Sequence, residues 1–238
     1  MRILLTGYGR MGQMVESVAR ERGHEIAGCV DITNVPELMS MPPVDAVIDF
    51  SHPGMLESLC AYIQRTGSAL VSGTTGYDGT HLERLRQLSE DAPVLYSANY
   101  SLGIAVFKYL LEQLPETLKN RFDIEILEMH HNKKADAPSG TAKLLLKALD
   151  PDQQKKVVTG REGMCGARTS NEIGVMALRG GTVAGEHTVY LFGEDETLSI
   201  THTAASRRIF AAGAVQAAES LIKKEKGWYS YDQILFGK

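Results

Sequence analysis

Short apolar runs alternating with helical stretches organise the first hundred positions of this chain. Ile3–Thr6 is continuously apolar, as expected of a strand covered on both faces. Beyond a glycine turn, Met11, Val15, Val18 and Ala19 recur at helical spacing, and Gly23 closes that helix. Further strands are expected at Glu25–Val30, ending at Asp31, then at Asp45–Phe50, Ala69–Val71 and Pro93–Ser97. Helices are expected between the later ones, at Met55–Arg65 and Thr80–Ser89. Such alternation predicts an α/β domain with a parallel sheet and helices on both sides.

After residue 101 the pattern changes. Ile104–Leu114 predicts one helix, ended by Pro115. Longer alternating segments follow at Phe122–Glu128, Gly174–Leu178, His187–Phe192 and Glu196–Thr203, interrupted by a helical Thr141–Leu149. This is the pattern of an α+β domain with a mixed or antiparallel sheet. Arg207–Lys224 is strongly helical, with Phe210, Ala214, Ala217 and Leu221 on one face, and is expected to return to the first domain. The chain is thus divided into residues 1–101 with 207–238, and residues 102–206.

Gly7-Tyr8-Gly9-Arg10-Met11-Gly12 sits between the first strand and the first helix. That context makes it a dinucleotide fingerprint and the first domain a Rossmann-type doubly wound fold. The first glycine permits the tight turn, the second lets pyrophosphate reach the backbone, and the third lets helix and strand pack. The helix N-terminus offers N–H groups and partial positive charge to the phosphates. Asp31, at the end of the second strand, stands about twenty residues on, at the ribose position. A carboxylate there repels a 2′-phosphate, and residue 32 is isoleucine, so NADH is expected over NADPH. Arg10 keeps NADPH open. Gly73-Thr74-Thr75-Gly76 and Ser97-Ala98-Asn99-Tyr100 follow later strands, where open α/β sheets bind ligands. The two threonine hydroxyls could pair with the nicotinamide carboxamide or its ribose.

The densest chemistry lies in Glu128-Met129-His130-His131-Asn132-Lys133-Lys134-Ala135-Asp136-Ala137-Pro138-Ser139-Gly140-Thr141. Strand alternation puts Ile124, Ile126, Glu128 and His130 on one face and Leu127, Met129 and His131 on the other. If the strand continues regularly, the two histidines diverge, one towards a reaction and one towards binding or orientation. Ser139 or Thr141 could cap the following helix, whose glycine admits a ligand to its N–H groups. With Lys134 nearby, the segment favours an anion, and a substrate with two carboxylates would use both features.

These residues resemble the signature of the dihydrodipicolinate reductase family, and further segments agree in order along nearly the whole chain. They are Gly9-Arg10-Met11-Gly12, Gly73-Thr74-Thr75-Gly76, Asn99-Tyr100-Ser101, Leu178-Arg179-Gly180-Gly181, Gly185-Glu186-His187 and Phe210-Ala211-Ala212-Gly213-Ala214. The resemblance implies hydride transfer from a nicotinamide cofactor to a cyclic unsaturated imine with two carboxylates, and loss of water to leave tetrahydrodipicolinate. It implies His130 as proton donor/acceptor, Lys134 as proton donor, His131 on one substrate carboxylate, and Gly140 with Thr141, beside Ser139, on another. It also implies cofactor contact by the backbone of Ser97–Tyr100, a homotetramer built through the second domain's sheet, and hinge closure. An imidazole with an ordinary pKa of about 6.5 suits proton donation at neutral pH. Two departures stand out. The glycine loop is one residue tighter than usual in the family. The segment between Asp31 and Asp45 is short, with Pro36, Pro42 and Pro43 where longer members help form the adenosine pocket.

Composition narrows the alternatives. A net charge of −4 over 238 residues gives no support to nucleic-acid or membrane attraction. No apolar run approaches the roughly 20 residues that span a bilayer. Cys29, Cys60 and Cys165 form no CxxC pair; reduced thiols fit the cytoplasm, with Cys29 and Cys60 as core residues. A metal-dependent hydrolase using Glu128, His130, His131 and Asp136 is a rival reading, but adjacent strand side chains diverge too far to chelate well. A dinucleotide sensor would need Gly7–Gly12 and Asp31 but no acid groups, and a reductase of another amino acid or semialdehyde is the nearer alternative. His24 and His81 are expected to be solvated, His187 and His202 buried and hydrogen-bonded. Arg161 and Arg168 are open between a substrate, a neighbouring subunit and solvent.

Overall fold

The computed structural model describes residues 1–237; Lys238, placed with the first domain above, lies outside the described residues. In chain order the elements are β1 (Arg2–Thr6), α1 (Arg10–Glu21), β2 (Glu25–Val30), β3 (Ala46–Asp49), α2 (Leu56–Thr66), β4 (Ala69–Ser72), α3 (Gly79–Leu88) and β5 (Pro93–Tyr96). There follow α4 (Leu102–Glu112), α5 (Glu116–Arg121), β6 (Asp123–His130), α6 (Gly140–Leu149), β7 (Lys156–Val158), β8 (Glu172–Arg179), β9 (Glu186–Phe192) and β10 (Thr197–Thr203). The chain ends with α7 (Arg208–Leu221), β11 (Gly227–Tyr229) and α8 (Tyr231–Phe236). It forms two compact units, Met1–Leu102 with the stretch from Arg207 onward, and Gly103–Ser206.

The first unit holds a six-stranded sheet in the order β11-β5-β4-β3-β1-β2, with every pairing parallel. All four residues of β3 and of β4 are buried, as strands covered on both faces must be. Leu4, Val47, Leu70 and Val94 lie in register across the sheet and join Leu59, Ile63, Leu85 and Leu88 of α2 and α3 in one core. Helix α7 packs with α1 and against β3 and β4. Strand β1 pairs with both β2 and β3, so the chain's direction of travel across the sheet reverses there. Ligands bind at such a switch point, outside the carboxyl ends of the strands. Residues 31–45 add no further strand beside β2 and instead carry a short 3-10 helix, Val35–Ser40.

The second unit carries a five-stranded mixed sheet, β10-β9-β6-β8-β7, antiparallel on one side of β6 and parallel on the other. Ile124, Ile126, Ile173, Val175, Val189 and Leu191 face Ile104 and Phe107 of α4 and Leu145 and Leu149 of α6. The opposite face differs in character. There Arg161 bridges Glu125 and Glu172, while Arg168 pairs with Asp123 and Glu125. Leu178 and Phe192 remain exposed.

Of the two histidines expected to be solvated, His24 is largely covered and His81 stays partly exposed, and each has a partner. His24 Nε2 lies 2.7 Å from Glu219 of α7, a partner too distant in sequence to be anticipated. His81 completes a capping box with Asp78 at the start of α3. Gly213 shows how closely α7 is seated. A Cβ there would collide with the Tyr100 carbonyl oxygen and the Tyr231 hydroxyl, which are themselves joined by a 2.9 Å hydrogen bond. Gly213→Ala is therefore expected to lower unfolding free energy by roughly 3 kcal/mol in urea titration, the cost of overpacking a rigid core.

Candidate active site

In the first unit the glycine loop divides its work by position. Gly7 has φ of +85°, and a Cβ there would strike the backbone of Phe50 and Ser51 at the end of β3. Gly12 faces the Gly7 carbonyl, where any side chain would force helix and loop apart. Gly9 meets nothing and stands as N-cap of α1 without a side-chain cap, leaving the helix N-terminus to an incoming anion. These residues fit a dinucleotide pyrophosphate. Arg10 and Met11 form the first turn of α1, and the Tyr8 hydroxyl is hydrogen-bonded to Glu16. Asp31 follows β2, its Oδ1 accepting from Thr33 N at 2.8 Å and Thr33 Oγ1 at 2.6 Å. Those bonds hold its carboxyl below the usual range.

Behind the loops lies a carboxylate with a larger structural part than its sequence position foretold. Asp49 is fully buried at the end of β3. It accepts hydroxyl bonds from Thr6 (2.8 Å), Ser51 (2.5 Å), Ser72 (2.7 Å) and Thr74 (2.8 Å), gathering the ends of β1, β3 and β4. The Thr74 hydroxyl is therefore spent inside the protein, and only Thr75 of the pair is exposed. Gly73 leaves room for the Phe50 ring, which a side chain would displace. Tyr100 is likewise a core side chain, donating to Ser72 O at 2.7 Å. Ser97 Oγ donates to Asn99 O at 2.7 Å and shapes the loop that presents Ala98 at the surface.

In the second unit β6 runs on through His130, two residues further than its apolar pattern indicated. Alternation then holds: Ile124, Ile126 and Glu128 point into the unit, and His130 joins them. The Glu128 carboxylate is fully buried and fourfold coordinated. Arg179 grips it with two nitrogens at 2.7 and 2.8 Å, Ser139 N donates at 3.0 Å, and His130 Nδ1 lies 2.6 Å from Oε2. Burial pushes the Glu128 carboxyl up, but Arg179, His130 and the Ser139 amide outweigh it and hold it below the ordinary range. A carboxylate claimed on both oxygens by a guanidinium is a poor metal ligand. Among the described residues no group of three or more His, Cys, Asp or Glu side chains is arranged to hold a metal ion.

The same cluster prepares an anion seat. Of the two possible caps, Ser139 serves: its Oγ accepts from Ala142 N at 3.1 Å and opens α6 at Gly140. The N–H groups of Gly140 and Thr141 lie in the first turn ahead of that bond, and Gly140 has open space where a side chain would stand. His187 Nε2, 2.9 Å from Ser139 Oγ, ties the cap to β9, and the His187 ring stands edge-on to that of His130 at 5.1 Å. Lys134 Nζ rests on Asp136 Oδ1 at 2.7 Å, and Arg179 holds the Asp136 carbonyl at 2.8 Å. His131 is half-buried just past the strand end.

The family model for the N-terminus of dihydrodipicolinate reductase matches residues 1–100, and that for its C-terminus matches residues 103–235. The chain belongs to the dihydrodipicolinate reductase family. It is 42% identical to the 4-hydroxy-tetrahydrodipicolinate reductase of Exiguobacterium sibiricum over 98% of this chain and 96% of that one. It is 41% identical to the Staphylococcus aureus enzyme of the same name over 98% of this chain and all of that one. A dipicolinate-bound dihydrodipicolinate reductase from Paenisporosarcina sp. TG-14 shares the fold with a TM-score of 0.76 at 19% identity, covering 99% of both chains. The diaminopimelate dehydrogenase of C. glutamicum is more distant in fold, with a TM-score of 0.58 over 98% of this chain and 93% of that one.

Asp49 and Arg179 escaped sequence reasoning as site components, Glu128 entered only as a ligand in the rival metal reading, and His187 only as a buried, hydrogen-bonded residue. A charged residue inside the apolar run Ala46–Phe50 was the available signal for the first. Burial, followed by the neighbouring charge of His130, pushes the His187 imidazole down to about 4. The unfolded chain therefore binds a proton that the folded chain refuses between about pH 6.5 and 4. Stability should fall as pH drops through that window, by up to about 3 kcal/mol from this residue. Thermal unfolding measured across it should show a shallower decline in His187→Gln than in the unaltered protein.

Proposed function

We infer that this chain reduces 4-hydroxy-tetrahydrodipicolinate to tetrahydrodipicolinate with a hydride from NAD(P)H, in lysine and diaminopimelate biosynthesis. The observation that carries the site assignment is the single cluster at the end of β6. An imidazole, an ammonium group and a capped helix N-terminus are held there around one buried ion pair. A dianionic ring matches it. One carboxylate is placed on the N–H groups of Gly140 and Thr141 beside Ser139, and the other within reach of His131 and Lys134. Lys134 would exchange Asp136 for that carboxylate and help donate a proton. His130 supplies a proton as the conjugated imine accepts the hydride and negative charge builds at its nitrogen or an adjacent carbon.

Bound NAD(P)H supplies the hydride. Gly7, Gly9 and Gly12 with Tyr8, Arg10 and Met11 hold its pyrophosphate. Gly73, Thr74, Thr75 and the loop of Ser97, Ala98, Asn99 and Tyr100 hold its nicotinamide end, Thr74 and Tyr100 through backbone alone. Asp31 takes the ribose. Both Thr33 bonds fall on its Oδ1, which favours Oδ2 as the acceptor for the hydroxyls. This arrangement favours NADH, with NADPH as a second substrate through Arg10. The uncovered face of the second unit's sheet, with exposed Leu178 and Phe192, supports a homotetramer paired through it. Among the described residues no helix is long and apolar enough to cross a membrane. Three free cysteines fit a cytoplasmic location.

Oxidation of NADH by freshly generated substrate, followed at the nicotinamide absorbance, tests the assignment. Lys134→Ala should cut kcat by about 100-fold or more, the usual scale of a lost proton donor, with NADH affinity nearly unchanged. Equal loss of NADH binding would move Lys134 to the cofactor. Asp31→Ala should weaken NADH more than NADPH in direct binding titrations, and an unchanged ratio would remove Asp31 from the ribose.

A further inference from the structure

We propose that Glu128 is a positioning residue that fixes the tautomer of His130, pinning the ring proton on Nδ1 so that Nε2 is the nitrogen that exchanges a proton with substrate. The inference rests on the proton-donor reading of His130 and deepens it.

The donors around Glu128 leave one consistent arrangement. An ionised carboxylate only accepts, and Oε1 already receives Ser139 N and one Arg179 nitrogen. Oε2 receives the other Arg179 nitrogen and stands 2.6 Å from His130 Nδ1. A nitrogen that close to an acceptor-only oxygen must carry the hydrogen. The imidazolium then gives up its Nε2 proton, and the electron pair of that N–H bond stays on the nitrogen. The neutral ring that remains is the Nδ1–H tautomer, the form the carboxylate already binds. No change of ring orientation is needed between donation and reprotonation. Gly185 lies at the same edge: a Cβ there would stand 3.1 Å from His130 Nε2 and crowd that side of the ring, which glycine leaves clear. His187 packs edge-on to His130, and its own depressed basicity keeps it neutral and non-repelling near pH 7.

Glu128→Gln makes a sharp test because the amide has one acceptor and one donor end. Its oxygen belongs at the Oε1 position, where the Ser139 amide and Arg179 both donate. Its NH2 then faces His130 Nδ1, which becomes an acceptor, and displaces only the one Arg179 nitrogen that had donated to Oε2, whereas the reverse orientation would set the NH2 against both the Ser139 amide and Arg179. The expected result is inversion of the neutral ring to the Nε2–H tautomer, read from histidine 15N shifts of the full-length protein and assigned by their loss in His130→Gln. The unaltered protein should show Nδ1–H in its neutral form. Turnover of Glu128→Gln should drop about 100-fold or more, with KM for nucleotide and dicarboxylate within about threefold. Arg179→Gln retains the carboxylate and should retain the native tautomer. A neutral Nε2–H ring in the unaltered protein overturns the proposal without any variant, and so does an unchanged tautomer in Glu128→Gln. Inversion with undiminished turnover upholds the anchoring by Glu128 and overturns His130 as the proton donor.

Discussion

A carboxylate taken out of water must be met by donors on nearly every lone pair, and this requirement shapes both halves of the molecule. Each unit fully buries one such group near the end of a strand, Asp49 in the first and Glu128 in the second. Asp49 is met by hydroxyls alone, drawn from the ends of three neighbouring strands. Glu128 is met by a guanidinium, a backbone amide and an imidazole. Replacing a donor in either set would leave a buried charge short of partners, a loss on the order of 3–5 kcal/mol where the removed partner is itself charged. The loops are therefore held by interactions that tolerate little displacement.

The two solutions suit different tasks. Around Asp49, small hydroxyl residues permit strands to end abruptly and turn into glycine-rich loops, as a nucleotide that approaches the backbone requires. Around Glu128, the partners are functional groups in their own right. Arg179 spans from the carboxylate to the Asp136 carbonyl, Asp136 holds Lys134, and Ser139 both donates to Glu128 and caps α6. An imidazole, an ammonium group and a capped helix N-terminus thus share one scaffold, so their relative placement is set by the fold itself.

Much of this was legible along the chain because it is local. Strand–helix alternation, the glycine spacing after β1, the face shared by Glu128 and His130, and the cap before α6 all follow from neighbours in sequence. What was missed depends on distant partners. Glu128 meets Arg179 and Ser139 only after β8 and α6 have folded against β6, and His24 finds Glu219 across α1 and α7. The short elements α5, β7, β11 and α8 escaped because three to six residues show no period; tertiary pairing, such as β11 along β5, creates them. Thr74 and Tyr100 illustrate a subtler gap. Their positions beside the nucleotide loops follow from the sequence, but the inward commitment of their side chains does not.

The most direct measurement is a crystal structure of the protein soaked with NADH and pyridine-2,6-dicarboxylate, a flat mimic of the substrate. One ring carboxylate should accept from the Gly140 and Thr141 amides, with Lys134 Nζ withdrawn from Asp136 onto the other and His130 still anchored to Glu128. A dicarboxylate bound elsewhere, with Lys134 still on Asp136 and the first turn of α6 empty, would contradict the account.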